Sequence, residues 1–216
     1  MKYILLALSI VLTACSHDES PLDYNDSVAI EHKKIVFVGN SITKHAPKES
    51  IGWNGDHGMA ATIPENDYVH LLSSRLNADF DLVNIAEWER NPTFLDWSKF
   101  DDVILFEPDL IVINLGENMV NSKRPVEHMI DDITELYLFL QSQTSAEVVI
   151  VNSFWDRGVV NESFFNFATN ENLTFVDISD LATPDNMALD HWHEGVAAHP
   201  NDKGHAAIAD RIFNAL

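Results

Sequence analysis

Five short runs rich in valine, isoleucine and leucine punctuate the chain, at 34–38, 81–85, 110–115, 148–151 and 173–176. Runs this brief and this continuously apolar predict strands buried on both faces, and helical periodicity fills most of the intervals between them. Candidate helices span 65–76, 125–141, 162–168 and 201–215; Pro64 and Pro200 stand near the starts of the first and last, where a missing N–H costs nothing. Strands alternating with helices predict an α/β fold, a three-layer α/β/α sandwich around a parallel sheet. A chain of 216 residues suits one such domain, with no internal repeat or low-complexity tract to divide it.

In an open parallel sheet the ligand crevice lies beyond the carboxyl ends of the strands, so the residues just past each run pool into one candidate site. The first run stops at Gly39-Asn40-Ser41, which holds a serine hydroxyl in the open just past a buried strand, where a nucleophile belongs. The third run leads into Gly116-Glu117-Asn118, whose side-chain amide is placed to hold a developing oxyanion. His199-Pro200 directly precedes the last helix, and a serine early with a histidine late is a hydrolase order. Glu87 and Trp155 fall past the second and fourth runs.

Met1-Lys2-Tyr3 followed by the apolar stretch 4–12 has the positive start and short hydrophobic core of a signal peptide, too short to span a bilayer. It ends in Leu12-Thr13-Ala14-Cys15, which resembles the lipobox of bacterial lipoproteins. That resemblance implies cleavage after residue 14, lipidation of Cys15 and a membrane-anchored protein of the cell envelope. Cys15 is the only cysteine, so the chain can form no internal disulfide. The polar, acidic stretch 15–32 reads as a tether and 33–216 as the folded domain. A formal net charge of −21 argues against nucleic acid and against adsorption onto anionic lipid, both of which need basic patches.

Taken together, Gly39-Asn40-Ser41, Gly116-Glu117-Asn118 and His199-Pro200 resemble the SGNH hydrolases, also called the GDSL family, over most of the chain after Lys34. The resemblance implies a flavodoxin-like sandwich and hydrolysis of esters or thioesters without a cofactor or metal. It assigns Ser41 as nucleophile, His199 as its base, and the Ser41 N–H and Asn118 side chain as oxyanion donors. The family's second block supplies a further N–H where this chain has Ala86 and Glu87. The family's acid stands three residues before the histidine, and here that position is Val196. The imidazole then needs another orienter: Glu194, a backbone carbonyl or, less favoured, Asp190.

The glycine-rich segment 44–64 is expected to overhang the site. With 67–70 and 194–199 it resembles bacterial members of the family that remove acetyl groups from carbohydrates. Trp53, Trp88, Trp155 and Trp192 fall in loops or near the catalytic segment, where sugar rings could stack or where the indoles simply pack; Trp97 reads as core. His191-Trp192-His193, with His199 and His205, is weighed as a metal site and set below surface or packing histidines. The expected function is a lipid-anchored esterase cleaving acetyl or other short acyl groups from a glycan. A lysophospholipase or thioesterase is the enzymatic alternative, and a catalytically lapsed glycan-binding lipoprotein the other.

Overall fold

The structure, a computed structural model, describes residues 34–91, 96–119 and 125–216. The signal, lipidation and tether expectations for 1–32, Cys15 included, lie outside the described residues. Five strands form one all-parallel sheet in the order β2-β1-β3-β4-β5: β1 Lys34–Gly39, β2 Asp79–Asn84, β3 Leu110–Asn114, β4 Glu147–Val151 and β5 Thr174–Val176. The expected runs match within one or two residues. β2 starts two residues early because, as an edge strand of alternating polarity at Asp79-Phe80-Asp81, it lacks the continuous apolar signal of the others.

Seven α-helices are described: α1 Tyr68–Arg75, α2 Ala86–Arg90, α3 Asp101–Leu105, α4 Val126–Gln143, α5 Val159–Asn170, α6 Glu194–Ala197 and α7 Asp202–Phe213. Three of them, α2, α3 and α6, have four or five residues, too few for helical periodicity to register in the sequence. The alternation of side chains along each strand splits the core in two. Val36, Val38, Ile111, Ile113 and Ile150 pack against α2, α3, α4 and α5. Ile35, Phe37, Val112, Val149 and Val151 face the other way, onto α1 and α7 through Leu72, Ile208 and Ile212. Each such buried aliphatic side chain contributes roughly 1.5–3 kcal/mol. Trp97 packs against Phe100 and Phe139 beside the first of these cores.

The chain runs from β1 to β2 on one side and then crosses to β3 on the other. The switch point therefore opens between β1 and β3, beyond their carboxyl ends.

Candidate active site

Ser41 follows β1 in a tight turn. Thr43 and Lys44 N–H both donate to Asn40 O, and Ile42 N–H donates to Asn40 Oδ1 at 3.1 Å. Gly39 permits the turn, since a Cβ there would collide with the Thr43 side chain. Thr43 Oγ1 is bonded to the buried Tyr68 hydroxyl at 2.7 Å, which ties the turn to α1. The Ser41 N–H makes no hydrogen bond among the described residues.

His199 comes from the opposite end of the chain, and its Nε2 lies 2.8 Å from Ser41 Oγ. Its Nδ1 lies 2.6 Å from the carbonyl oxygen of Gly195. A carbonyl only accepts, so Nδ1 carries the proton and Nε2 is left as the acceptor for the serine hydroxyl. Burial, the largest influence, lowers the His199 pKa to about 4, with smaller contributions from His205 and His45 opposed by the Gly195 carbonyl. At neutral pH the ring is uncharged and able to take a proton.

Helix α6 explains why a carbonyl stands where the family has a carboxylate. His193 caps it by accepting Gly195 N–H at Nδ1, and its short turn directs Gly195 O at the ring four residues on. Val196 points away, buried with Trp53 and Met59 and flanked by Ile51 and Ala60. Glu194 is exposed at the first position of α6 and does not orient His199, which corrects the expectation for that residue.

The segment 44–64 is pinned down rather than loose. Met59 N–H donates to Ser41 O, Gly58 N–H to Asp67 Oδ2, and Trp53 Nε1–H to His45 O. A 3₁₀ turn at Glu49–Ile51 and bridges at His45–His57 and Lys48–Trp53 complete it. His205, fully buried on α7, holds the segment through Nε2 at 3.1 Å from Met59 O, and its Nδ1 accepts from Tyr68 N–H. His191 and His193 each spend Nδ1 on a backbone N–H. Among the described residues no group of three or more His, Cys, Asp or Glu side chains is disposed to hold a metal.

The chain that carries this serine–imidazole pair at the switch point of a 2-1-3-4-5 sheet matches a protein family in sequence and solved structures in fold. A model of the GDSL-like lipase/acylhydrolase family matches residues 37–207. The chain belongs to the GDSL-like lipase/acylhydrolase family. It is accordingly an ester-hydrolysing serine hydrolase. No curated protein sequence matches it. Similar solved structures include LAE5, an alpha/beta hydrolase from the metagenome of Lake Arreo, Spain, at 19% identity and TM-score 0.59, covering 85% of this chain and 94% of that one. Axe2, an acetylxylan esterase from Geobacillus stearothermophilus, is 18% identical at TM-score 0.56, covering 85% and 93%. The psychrotrophic esterase EstA from Pseudoalteromonas sp. is 20% identical at TM-score 0.55, covering 85% and 96%. At such identities the likeness is one of fold.

In this GDSL hydrolase the turns after β1, β2 and β3 are joined by two buried carboxyl groups, Glu89, which nothing in the sequence marked, and Glu117, which figured there only as the middle residue of Gly116-Glu117-Asn118. Glu89 on α2 accepts Gly116 N–H at 2.6 Å and Asn118 Nδ2–H at 2.6 Å, with Asn40 Nδ2–H at 3.3 Å. Glu117 accepts Asn40 Nδ2–H at 2.5 Å and Phe154 N–H at 2.9 Å. Burial, reinforced by the charge of Glu117, pushes the Glu89 carboxyl up to about 7, and burial raises Glu117 as well. Asn40, which stands where the commoner family motif has aspartate, bridges the pair as a donor; an aspartate here would set a third carboxylate against them.

The expected N–H of Ala86 is taken: it donates to Asn84 Oδ1 at 2.9 Å as α2 begins, so Ala86 is corrected as an oxyanion donor. The next N–H, that of Glu87, makes no hydrogen bond among the described residues. The tryptophans divide sharply. Trp88 is 4% exposed in the core on α2, which corrects its reading as a substrate platform. Trp155 donates to Ala198 O, meets the His199 ring edge-on at 5.4 Å and carries Arg157 over its own ring. It buttresses the histidine rather than offering a free face. Trp53 is buried at the floor of a cleft of about 460 Å³, which Asn54, His57, Ala188 and His191 also line. Trp192 alone is open, 71% exposed, with its indole against Gly52.

Proposed function

We propose that this GDSL hydrolase removes acetyl or other short acyl groups from a carbohydrate, through an acyl-enzyme on Ser41. The observation that carries the reading is the Ser41 Oγ–H to His199 Nε2 bond at 2.8 Å with Nδ1–H already committed to Gly195 O. Ser41 Oγ attacks the ester carbonyl as His199 Nε2 takes its proton. The negative charge that develops on the carbonyl oxygen is met by the Ser41 N–H, the N–H at Glu87 and the Asn118 amide. Collapse expels the sugar alkoxide, which recovers the proton from His199. Water, deprotonated by the same ring, then releases the carboxylic acid and free Ser41.

The acyl and sugar preference rests on three supports. Trp192 presents an exposed indole, stacked on one side by His191, beside a mainly apolar cleft whose polar groups are Asn54, His57, Thr62 and His191, and an aromatic ring with a few polar groups nearby suits a sugar ring. Among the described residues no lysine or arginine lines that cleft, and the chain's net charge of −21 disfavours anionic substrates. A protein of similar fold is an acetylxylan esterase. Initial rates on acetylated xylo-oligosaccharides and on p-nitrophenyl esters of increasing acyl length test it. Acetate release from the oligosaccharide is expected to exceed turnover of octanoyl and longer esters. Trp192→Ala is expected to lower kcat/KM several-fold more on the oligosaccharide than on p-nitrophenyl acetate. A preference for long acyl chains, indifferent to Trp192, would move the assignment to a lysophospholipase or thioesterase.

We place the enzyme in the cell envelope, with residues 1–14 removed, Cys15 lipidated and 15–32 tethering the domain 33–216. The support is the Leu12-Thr13-Ala14-Cys15 motif behind a short apolar segment, and Cys15 being the sole cysteine. In a bacterial host the full chain is expected to sediment with membranes and Cys15→Ala to leave them; equal fractionation of the two would remove the anchor.

A further inference from the structure

The oxyanion donor read for Asn118 requires an amide held at a fixed angle, and its two ends are gripped by consecutive residues of one short helix. Arg90 Nη2–H donates to Asn118 Oδ1 at 2.7 Å, and Glu89 Oε2 accepts from Asn118 Nδ2–H at 2.6 Å. The chemistry of the two partners dictates which way the amide faces. A guanidinium has only donors and so must meet the oxygen; a carboxyl oxygen accepting an N–H must meet the nitrogen. With one Nδ2 hydrogen spent on Glu89, the other makes no hydrogen bond among the described residues, and its direction in the amide plane is set. Glu89 is anchored in turn by Gly116 N–H and Asn40 Nδ2–H, so the grip on Asn118 is continuous with the turn that carries Ser41.

We propose that Glu89 and Arg90 are positioning residues for ester hydrolysis, clamping the Asn118 amide from both ends so that its remaining N–H is aimed at the developing oxyanion. The inference rests on the reading of Ser41 and Asn118 given above. Neither residue touches substrate in this account; both act through Asn118. The clamp matters because a donor contributes through prior alignment, and an amide free to rotate or flip would pay for its ordering during the reaction. Burial of Glu89, 1% exposed, keeps water from competing for the bond, whereas Arg90 lies at the surface and can be replaced without disturbing the core.

The test is a set of double-mutant cycles on the full-length enzyme, with p-nitrophenyl acetate as substrate and Ser41→Ala as the blank. Arg90→Ala and Glu89→Gln are each expected to lower kcat about ten-fold, with KM within about two-fold of wild type. Asn118→Ala is expected to lower kcat by about 10²–10³-fold. In the Asn118→Ala background, the further change at Arg90 is expected to cost nothing more and Glu89→Gln, which also loosens Gly116 and Asn40, less than it costs in the wild type, while Arg90→Lys, which retains a donor, is expected to recover part of the loss. A general structural role would leave the effects additive, and additivity overturns the proposal. Because Arg90 is exposed, its arm stands even if Glu89→Gln fails to fold. If Ser41→Ala is inactive but Asn118→Ala is not impaired, the reading of Asn118 as the donor falls and the clamp with it. If Ser41→Ala retains full turnover, the failure lies with the nucleophile instead.

Discussion

Ser41→Ala is expected to reduce kcat/KM for p-nitrophenyl acetate by about 10³–10⁶-fold, and His199→Ala to come close to it. The two losses should not multiply. Without the imidazole the hydroxyl keeps its proton, and without the hydroxyl the imidazole has nothing to activate, so the double variant should resemble either single one. Neither change should unfold the domain, since neither side chain belongs to a hydrophobic core cluster. A fluorophosphonate should label wild type at Ser41 and leave Ser41→Ala unlabelled. The same pair predicts an unusual acid limb. His199 is lowered to about 4 chiefly by burial, so it stays an unprotonated base well below the ordinary histidine range. kcat/KM should therefore fall with an apparent pKa near 4 rather than near 6.5. Turnover that survives in Ser41→Ala with the fold intact would refute the nucleophile.

Val196→Asp restores the residue type that relatives place three positions before the histidine, and it is expected to damage this protein rather than improve it. The side chain at 196 is 1% exposed and lies among Trp53 and Met59, with Ile51 and Ala60 at the edge. An aspartate there loses an apolar contact and buries a carboxyl group without a partner. The combined cost is about 2–5 kcal/mol, which for a domain this size lowers Tm by about 5–15 °C. Activity should not rise, because the position next to Nδ1 is held by Gly195 O, and the side chain at 196 faces the segment 44–64 instead. Thermal unfolding and kcat of the variant decide it. A Val196→Asp enzyme of unchanged Tm and higher kcat would mean that the carbonyl is only a weak substitute for an acid that the site still accommodates.

These two expectations separate what could be read from the chain and what could not. The sheet was legible because its inner strands are written as short unbroken apolar runs at regular intervals between helical patterns, with the edge strand β2 the least distinct of them. Ser41 and Asn118 were legible as candidates because residues just past such strands must emerge on one edge of the sheet, whereas His199, which precedes the last helix, was legible through the resemblance to the family's histidine-proline pair. Glu89 was not. A glutamate in Ala86-Glu87-Trp88-Glu89-Arg90 has the local look of a solvated helix face, and only the packing of α2 against β3 and its following turn makes it a buried acceptor for three N–H groups. The four tryptophans had equivalent local surroundings, yet one became core, one a support for His199, one the floor of a cleft, and Trp192 alone an open face.

By itself the sequence determined the layered α/β architecture, the strand ends that share the crevice, and the candidate serine, amide and imidazole, since each is carried by side-chain type and position along the chain. Only the tertiary structure decided what orients the imidazole and what aims the amide. Gly195 acts through a backbone carbonyl, a group every residue has and no sequence can single out. Glu89 and Arg90 act through contacts with a residue almost thirty positions away, which exist only once β2 and β3 flank β1 and the turns beyond them close together.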